Sequence, residues 1–555
     1  MALRSASDHS KKLFRYITKE KKDVSNIYFY AILNGLVSLS IPLGIQSIIS
    51  FVMGATMATS IYLLIFFVVL GTFLVGHFRL KVFQIIEKIQ QKIFVEFSMA
   101  FAEKLPRINL SETRKYYLPE LVNRFFDVQN LQKGISKILL EIPTALIQIV
   151  FGILLLSFYH PWFLAFGALV IILVVLIFIY SMESGIKSSL EESDKKYETA
   201  AWIEDIAASV KTFKMHSGKK THLQGTDSRV VEYLDHRTSH FKILVFQYKT
   251  IIAFKVIITL AILVIGTYLM INQQLNIGAF IAAEIVVLTI MAAVEKLIVS
   301  LESYYDLIAS FAKLSKVTEL KEETDGDIVL SQKDRGIEIE FKDVDFAFND
   351  TPAILSDINF RLKENSLTVI TGKMGTGKSL LLNMLAGFYK PSSGTILFDK
   401  IPLKNLNKTD FRSNIGLYLE NMKVIQGSVL KNILLGNTDS NTESILQLSE
   451  KLGIESISSS FSNGFTTEIS DTDSELTFSS KKKILMLRSL LGEKRLILLE
   501  NPLAGMSENF QEKLSAYLQE LKQTCTIVVV SPDKNMIYNA DQHIHLEDGS
   551  LSIIS

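Results

Sequence analysis

A glycine-rich segment in the second half of the chain has the residue types and spacing of a phosphate-binding loop. Gly372 is followed five residues later by Gly377-Lys378-Ser379, which gives the pattern GxxxxGK[ST]. The glycines of such a loop let the backbone wrap phosphate oxygens, and N–H groups of the next helix point at the same anion. Lys378 would reach the β and γ phosphates, and the Ser379 hydroxyl could bind Mg²⁺. The residues expected to contact the nucleotide are Gly372, Lys373, Met374, Gly375, Thr376, Gly377, Lys378, Ser379 and Leu380.

The elements around this loop argue against a chance match. The run SLTVI at 366–370 is typical of a strand, and 379–385 is typical of a helix. Short β-type runs then alternate with helical ones to the end of the chain. This alternation predicts an α/β domain over 337–555, built on a mainly parallel core sheet. The polar and charged segment 316–336 is predicted to be a linker.

The composition indicates that another part of the chain lies in a membrane. The protein has 555 residues, of which 48% are hydrophobic and 21% charged, with a mean hydropathy of +0.28. Its 58 basic and 57 acidic residues give no net charge that would favour nucleic acid as a partner. The single cysteine excludes a disulfide scaffold and a cysteine-rich zinc site. The first twenty residues are too polar for a cleaved signal peptide.

Long stretches without charged residues locate the membrane part. No Asp, Glu, Lys or Arg occurs in 24–78, 142–182 or 256–283. A transmembrane helix needs about 20 apolar residues, so the first two stretches are each long enough for a helical hairpin, and the third hairpin would continue to Leu301. We expect turns around Met53 to Thr56, at Tyr159 to Pro161 and at Asn272 to Asn276. The sequence therefore predicts an all-α domain of six membrane helices over 24–315.

Basic residues indicate the orientation of these helices. The N-terminal segment 1–23 is rich in Lys and Arg, whereas the three proposed outer turns carry no charge, so both termini are expected in the cytoplasm. The inner connections, 79–137 and 183–249, have the pattern of charged helices. We expect them to be membrane helices that continue into the cytoplasm; two soluble insertions are the alternative.

Three of the charged residues in the last hairpin bear on its packing. Lys255 and Glu295 lie at comparable depth on its two arms, which predicts a charge pair or side chains that reach the inner boundary. Glu284 lies close to the outer turn. It could line a wet cavity, or it could be packed and protonated, and the sequence leaves both interpretations open.

Six spans with long cytoplasmic extensions, followed by this phosphate-binding loop, resemble a half-transporter of the ABC exporter type over nearly the whole chain. The resemblance implies an ATP-binding domain, Mg²⁺, a lipid bilayer and pairing with a second half, either identical or a catalytically intact homologue. It also places Phe348 where an aromatic ring stacks on adenine; the alternative is an ordinary strand residue.

The resemblance also reveals two changed magnesium-side positions. Around 415–433 the sequence resembles the family's glutamine loop, but Glu420 replaces the glutamine. The run Leu496 to Pro502 resembles the family's LLDEP segment, and Glu500 replaces the magnesium-associated aspartate. Ser379, Glu420 and Glu500 are therefore the expected metal ligands.

The signature motif of the family is altered as well. Where the family has LSGGQ, this chain has Leu476, Thr477, Phe478, Ser479 and Ser480. The two glycines permit a close approach to the γ-phosphate held by the opposing domain, so the Phe478 side chain is expected to obstruct that approach.

The catalytic positions of the family are replaced. Asn501 stands where the family has its catalytic glutamate, and Pro532 where it has its switch histidine. An amide cannot accept a proton from water at neutral pH. Each change alone could be drift, but together they predict a subunit of an inner-membrane export complex that binds ATP and hydrolyses it poorly or not at all. Two alternatives stay open: a non-transporting assembly or regulatory protein governed by ATP, and a working ATPase with unusual residues. The substrate cannot be deduced.

Overall fold

The structure is a computed structural model that describes residues 2–54, 59–113, 118–216, 219–330, 335–348, 352–437, 440–471 and 476–554. The chain forms two compact units. The helical unit comprises Met1–Ile108 and Thr113–Lys321, and the α/β unit comprises Asn109–Glu112 and Glu322–Ser555.

Long helices build the helical unit. In chain order, the helices before residue 321 are α1 (Ala2–Ile17), α2 (Lys21–Ser38), α3 (Ser40–Met53), α4 (Ser60–Lys104), α5 (Leu110–Thr113), α6 (Leu118–Asn123), α7 (Asp127–Tyr159), α8 (Trp162–Ala208), α9 (Val210–Met215), α10 (Thr221–Ile271) and α11 (Ile277–Thr318). Of these, α5, α6 and α9 are short, and most of α5 belongs to the α/β unit. Among the described residues, six helical segments are long and apolar enough to cross a membrane. The predicted six spans are therefore confirmed, although the first span is divided into α2 and α3 at Leu39, close to Pro42.

The helices extend well beyond their apolar stretches. α4, α8 and α10 contain 45, 47 and 51 residues. At 1.5 Å per residue each is about 70 Å long, whereas the hydrocarbon core of a bilayer is about 30 Å thick. The charged inner connections are thus largely continuations of the membrane helices, as expected, rather than separate soluble insertions.

Two of the three expected turns are fully visible. α7 ends at Tyr159 and α8 begins after Pro161. The last turn contains Gln273 with a positive φ of 55°, and the Asn276 side chain accepts a hydrogen bond from the backbone N–H of Ala279. For the first turn, α3 ends at Met53 and Gly54 is described, whereas 55 and 56 lie outside the described residues.

The core of the helical unit forms around α11, which packs mainly on α7. Small residues allow these close crossings: a side-chain carbon added at Gly152 would lie 2.7 Å from Ile290, and one added at Gly185 would lie 2.3 Å from the Tyr305 ring. The Lys255 amine donates to a Glu295 carboxylate oxygen at 2.8 Å, so the expected charge pair is present.

The α/β unit contains two main sheets. Its strands are β1 (Ile339–Phe346), β2 (Leu355–Leu362), β3 (Leu367–Thr371), β4 (Ser393–Phe398), β5 (Ile401–Pro402), β6 (Ile415–Tyr418), β7 (Gly427–Ser428), β8 (Glu468–Ile469), β9 (Leu496–Glu500), β10 (Thr526–Val530), β11 (Gln542–Glu547) and β12 (Ser550–Ile553). The core sheet has the order β12-β11-β3-β10-β9-β6, and only β12 is antiparallel. This confirms the mainly parallel sheet. The antiparallel sheet β2-β1-β4-β5 was not anticipated.

Among the described residues after 321, seven helices complete this unit: α12 (Lys378–Leu385), α13 (Lys408–Ser413), α14 (Val429–Leu434), α15 (Thr442–Lys451), α16 (Phe478–Leu490), α17 (Glu508–Leu521) and α18 (Lys534–Tyr538). β3, β9 and β10 are rich in apolar residues that are buried between these helices. Both faces of the parallel sheet are covered, which is why these strands are continuous apolar runs.

The predicted linker 316–336 is more ordered than its polar composition suggests. α11 continues to Thr318. Further on, the Gly326 N–H donates to Leu406 O at 3.1 Å and the Ile328 N–H donates to Asn405 O at 3.0 Å. Leu330 is buried in the α/β unit. One buried leucine and a few backbone hydrogen bonds thus anchor the middle of this segment.

Candidate functional site

The phosphate-binding loop joins β3 to α12, and its glycines are required by the backbone conformation. Gly372, Gly375 and Gly377 have positive φ values of 148°, 87° and 100°. A side-chain carbon at Gly372 would lie 2.2 Å from Leu546 O, a distance that no residue other than glycine tolerates. Lys378 is the first residue of α12, so the loop and the helix N-terminus form one concave backbone surface.

Lys378 lies across this loop. Its amine donates to Gly372 O at 2.8 Å and also to Lys373 O. Burial lowers the pKa of this amine, and the Glu500 carboxylate opposes that shift. The ammonium is therefore held at the loop from which it would reach the β and γ phosphates.

The expected magnesium ligands are brought together only in part. The Ser379 hydroxyl donates to Glu500 Oε1. Glu500 Oε2 accepts the backbone N–H of Glu420 at 3.1 Å, whereas the Glu420 side chain is exposed. A hydroxyl beside a buried carboxylate is the hard oxygen donor set that fits Mg²⁺, and phosphate oxygens usually complete such a site. In the described part of the chain, no three His, Cys, Asp or Glu side chains cluster as a metal site.

Phe348 lies in a small aromatic cluster. Its ring contacts Phe346 at 4.7 Å and Tyr389 at 5.6 Å between centroids, both edge to face. The side chain is half-buried against the core of the α/β unit. Its role as an adenine-stacking residue remains a prediction.

The altered signature segment begins α16. The Thr477 side chain caps this helix by accepting the Ser480 N–H at 3.1 Å, and Leu476 precedes it. Phe478 is 70% exposed, and Ser479 follows it in the first helical turn. A side-chain carbon added at Gly505 would lie 3.3 Å from the Phe478 ring. The Phe478 ring therefore covers the turn after β9. At position 478 the family's signature has a glycine, which has no side chain to do so.

Asn501 and Pro532 follow β9 and β10, at the same edge of the parallel sheet as the phosphate-binding loop. Asn501 has a positive φ of 45°, a conformation that asparagine tolerates, and its N–H donates to Val530 O at 2.8 Å. Pro532 is exposed just beyond β10. Parallel strands place their carboxyl ends together, so these residues share one edge with Lys378 and Glu500.

Lys482 is a site residue that the sequence did not reveal. Its amine is buried and donates to Asn501 O at 2.8 Å and to Ala504 O at 2.6 Å. It also lies 5.6 Å from the centre of the Tyr418 ring. Burial lowers the pKa of the Lys482 amine, and Glu420 opposes that shift. Burial first, then Glu420 and Glu500, raise the pKa of Tyr418 to about 12. The sequence offers one indication, a spacing of four residues between Lys482 and Met486 that places both on one face of α16. In the structure that face is buried.

A second set of contacts links the loop to β11. The Lys373 amine pairs with Glu547 at 2.8 Å. The Thr371 hydroxyl lies 2.9 Å from both His543 Nε2 and His545 Nδ1. Burial lowers the pKa of His543, and His545 adds to that shift. These residues are more than 170 positions apart in the chain, and no local pattern could have joined them.

Glu284 lies on α11 and is half-buried. Its neighbours Ala283 and Val287 are buried in the core of the helical unit. Within the described ranges, no hydrogen bond or ion pair is recorded for its carboxylate. This geometry is compatible with a cavity-lining residue, which remains a prediction.

Family comparisons agree with the division into two units. Residues 24–294 match the model of the ABC transporter transmembrane region. Residues 355–504 match the model described as ABC transporter, which is the ATP-binding domain. Together they cover most of both units.

Individual relatives are distant. The chain is 25% identical over 289 residues to the uncharacterized ABC transporter ATP-binding protein YknV of Bacillus subtilis, which is 51% of this chain and 47% of that protein. The chain spans about half or less of the first curated relatives that it matches. It is also 23% identical over 554 residues to the lactococcin-A transport/processing ATP-binding protein LcnC of Lactococcus lactis, covering 96% of this chain and 75% of that one.

A solved structure shares the fold over almost its full length. It is described as a bacterial Atm1-family ABC exporter with ATP bound, and it matches 96% of this chain and 94% of its own with a TM-score of 0.83. The sequence identity is 16%, so the likeness concerns the fold alone.

Proposed function

Because the chain belongs to the ABC transporters and has the architecture of an exporter half-transporter, we propose that it binds ATP with Mg²⁺ but hydrolyses it poorly or not at all. It is an integral membrane protein that joins six membrane helices to one ATP-binding domain. In this proposal it pairs with a second half and moves a substrate out of the cytoplasm. The distribution of its N-terminal basic residues supports cytoplasmic termini, in a membrane such as the bacterial inner membrane.

One observation carries the proposal: Lys378, Ser379 and Glu500, the groups expected to hold phosphate and metal, lie together, while the position expected to activate water holds Asn501. Lys378 and Ser379 lie in a loop whose glycines have the required conformation, and Ser379 contacts Glu500. Asn501 follows Glu500 directly, at the catalytic-glutamate position of the family. The residues that support ATP binding and the residue expected to support hydrolysis are therefore different, although they are neighbours in the structure.

The chemistry of an amide explains the expected loss of hydrolysis. A glutamate accepts a proton from the attacking water, and an asparagine amide does not at neutral pH. Pro532 also lacks the ring N–H of the family's switch histidine. In phosphoryl transfer, catalysis comes mainly from positioning water and balancing charge, so these losses remove transition-state stabilisation and spare ground-state binding.

ATP can act on such a protein without being consumed. Lys378 would bind the β and γ phosphates, and Ser379 with Glu500 would hold Mg²⁺, which bridges the phosphate oxygens and offsets their charge. If ATP binds the closed pair of domains more tightly than the open pair, it favours closure by differential affinity alone. Any ATP hydrolysis would then have to come from the partner chain, and only if that chain has an intact catalytic glutamate.

The substrate stays unassigned. LcnC, a relative matched over nearly the whole chain, is named for transport and processing of lactococcin A. Glu284 is our proposed polar contact in the membrane pathway, because no neighbouring group among the described residues engages its carboxylate. A Glu284→Gln variant with unchanged substrate binding or transport would remove this role.

A second candidate is an ATP-governed assembly or regulatory protein that transports nothing. Phe478, at 70% exposure, supports it. In a pair of identical chains, this ring would stand at both signature positions, and neither site would contain a glutamate base. ATP would then control association only.

The test is a co-purification that identifies the partner, followed by ATP binding and ATPase assays on that complex in lipid nanodiscs. We expect saturable ATP binding that Lys378→Ala removes. Transporter-like hydrolysis that survives inactivation of the partner's own glutamate, and that Lys378→Ala abolishes, would contradict the proposal.

A further inference from the structure

A polar cavity opens between α2 and α4 in the helical unit. Its volume is about 740 Å³, and it is lined by Asn26 and Phe29 from α2 and by Lys81, Gln84, Glu87 and Lys88 from α4. Lys81, Gln84 and Lys88 are spaced at i, i+3 and i+7, so they share one face of α4. None of the residues assigned to the nucleotide site lies on this face.

The cavity lies at the depth of lipid headgroups. Lys81 is 21 residues from Ser60, the first residue of α4. That distance is about 32 Å along the helix, while the hydrocarbon core is about 30 Å thick. Lys88 is two turns further, within the polar boundary of the bilayer. Two cations on one helix face are therefore positioned where phosphate groups are most concentrated.

The lysines in this cavity are not used for structure. Lys92, one turn beyond Lys88 on α4, pairs with Glu20 at 2.7 Å and with Asp23 at 3.2 Å. Within the ranges that the structure describes, no ion pair or hydrogen bond is recorded for Lys81 or Lys88. Lys92 is thus engaged in ion pairs within the protein, whereas the amines of Lys81 and Lys88 are available to a ligand.

The rim of the cavity is suited to acyl chains. Phe29 and Phe83 are 56% and 58% exposed, and the half-buried Tyr30 lines the cavity beside them. Exposed aromatic rings on membrane helices contact lipid, and aromatic residues are enriched at the membrane boundary. An amphiphile could place its charged group between the lysines and its chains against these rings.

We propose that this cavity binds the headgroup of a phospholipid that carries both a phosphate and a primary ammonium, as phosphatidylethanolamine does; the N–H groups of that ammonium can donate to the Glu87 carboxylate, whereas a choline headgroup has no N–H to donate. Lys81 and Lys88 hold the phosphate, and the amides of Asn26 and Gln84 supply further hydrogen-bond donors. Glu87 selects the headgroup. Its Oε1 accepts from Gln91 at 3.0 Å, and its remaining lone pairs face an ammonium favourably and an anionic headgroup unfavourably.

The test measures lipid-dependent thermal unfolding of the full-length protein in detergent, with added dioleoyl phosphatidylethanolamine, phosphatidylglycerol or phosphatidylcholine. We expect the ethanolamine lipid to raise the unfolding midpoint at a concentration at least ten-fold lower than the choline lipid. Lys81→Gln/Lys88→Gln should raise that concentration about ten-fold or more. Lys81→Arg/Lys88→Arg should retain binding, because guanidinium also pairs with phosphate. Glu87→Gln should reduce the preference over the glycerol lipid.

The matched control is Lys219→Gln/Lys220→Gln, which removes two charges from the exposed residues before α10 and should leave the lipid response unchanged. Equal responses to all three lipids, or a Gln double variant that behaves like the unmodified protein, would overturn the proposal. So would a Gln84→Cys variant in a Cys525→Ser background that crosslinks efficiently to a second chain in the membrane, since a protein partner would then fill the cavity.

Discussion

The two sides of the proposed nucleotide site differ in how closely their residues match the family pattern. The side that holds phosphate keeps a glycine-rich loop, Lys378 and Ser379, with backbone angles that only glycine adopts easily. The side that should activate water has Asn501 and Pro532, and the signature helix begins with an exposed Phe478. The groups proposed for binding and those needed for hydrolysis are therefore different residues, and our proposal is that this chain has the first set without the second.

The largest expected effect comes from restoring the water side. Asn501→Glu and Pro532→His, combined with Phe478→Gly and Ser479→Gly, should raise ATP turnover by about 10² or more, the usual contribution of a positioned general base. Steady-state phosphate release in nanodiscs measures it. The same four changes with Lys378→Ala are the control, and equal rates in the two variants would show that the comparison is wrong.

The next largest effect is expected from a substitution on the phosphate side. Lys378→Ala removes charge-assisted hydrogen bonds to the nucleotide, each worth about 1.5–3 kcal/mol, so ATP affinity should fall by about ten-fold to a hundred-fold. Binding of a fluorescent ATP analogue to the full chain measures it. Lys373→Ala is the matched control, because Lys373 is expected to contact phosphate through its backbone, while its side-chain amine pairs with Glu547 at 2.8 Å. Comparable losses in both variants would contradict the role assigned to Lys378.

A smaller effect concerns Lys482, the buried lysine beside Asn501 on the water side. Lys482→Met leaves the Ala504 carbonyl oxygen without its donor and removes one of the two donors to Asn501 O, which should lower the stability of the α/β unit by about 1–3 kcal/mol. Thermal unfolding of the full chain with ATP present measures it. Lys483→Met, one residue further along α16, should have little effect, and an equal loss there would remove the special role of Lys482.

The smallest effect is a pH dependence at the base of the loop. Since the pKa of His543 is lowered in the folded protein, the unfolded chain takes up the proton first as the pH falls. The stabilising contribution is therefore complete above the ordinary histidine pKa and is lost as the pH falls from that value through the folded one. His543→Gln should reduce the change of the thermal unfolding midpoint with pH between about pH 7 and pH 5. An unchanged pH profile in this variant would contradict the assignment.

A feature could be predicted from the sequence when its residues are close together in the chain, and not when they are far apart. The strand, loop and helix around Gly372 to Ser379 and the six spans are contiguous patterns, so the sequence alone predicted these elements correctly, while the nucleotide contacts of the loop stay a prediction. The break at Leu39 and the anchoring of Leu330 depend on packing. The contacts of Thr371 with His543 and His545 depend on β11 lying beside β3, which is a matter of strand order. Lys482 was missed because a buried lysine is recognised only when its carbonyl partners are in place.

ATP binding and ATP turnover, measured on the same full-length sample in nanodiscs, test the central claim most directly. The account predicts saturable ATP binding, lost in Lys378→Ala, with phosphate release no faster than in that variant. Phosphate release at about 1 per second or more, an ordinary enzymatic rate that Lys378→Ala abolishes, would contradict it.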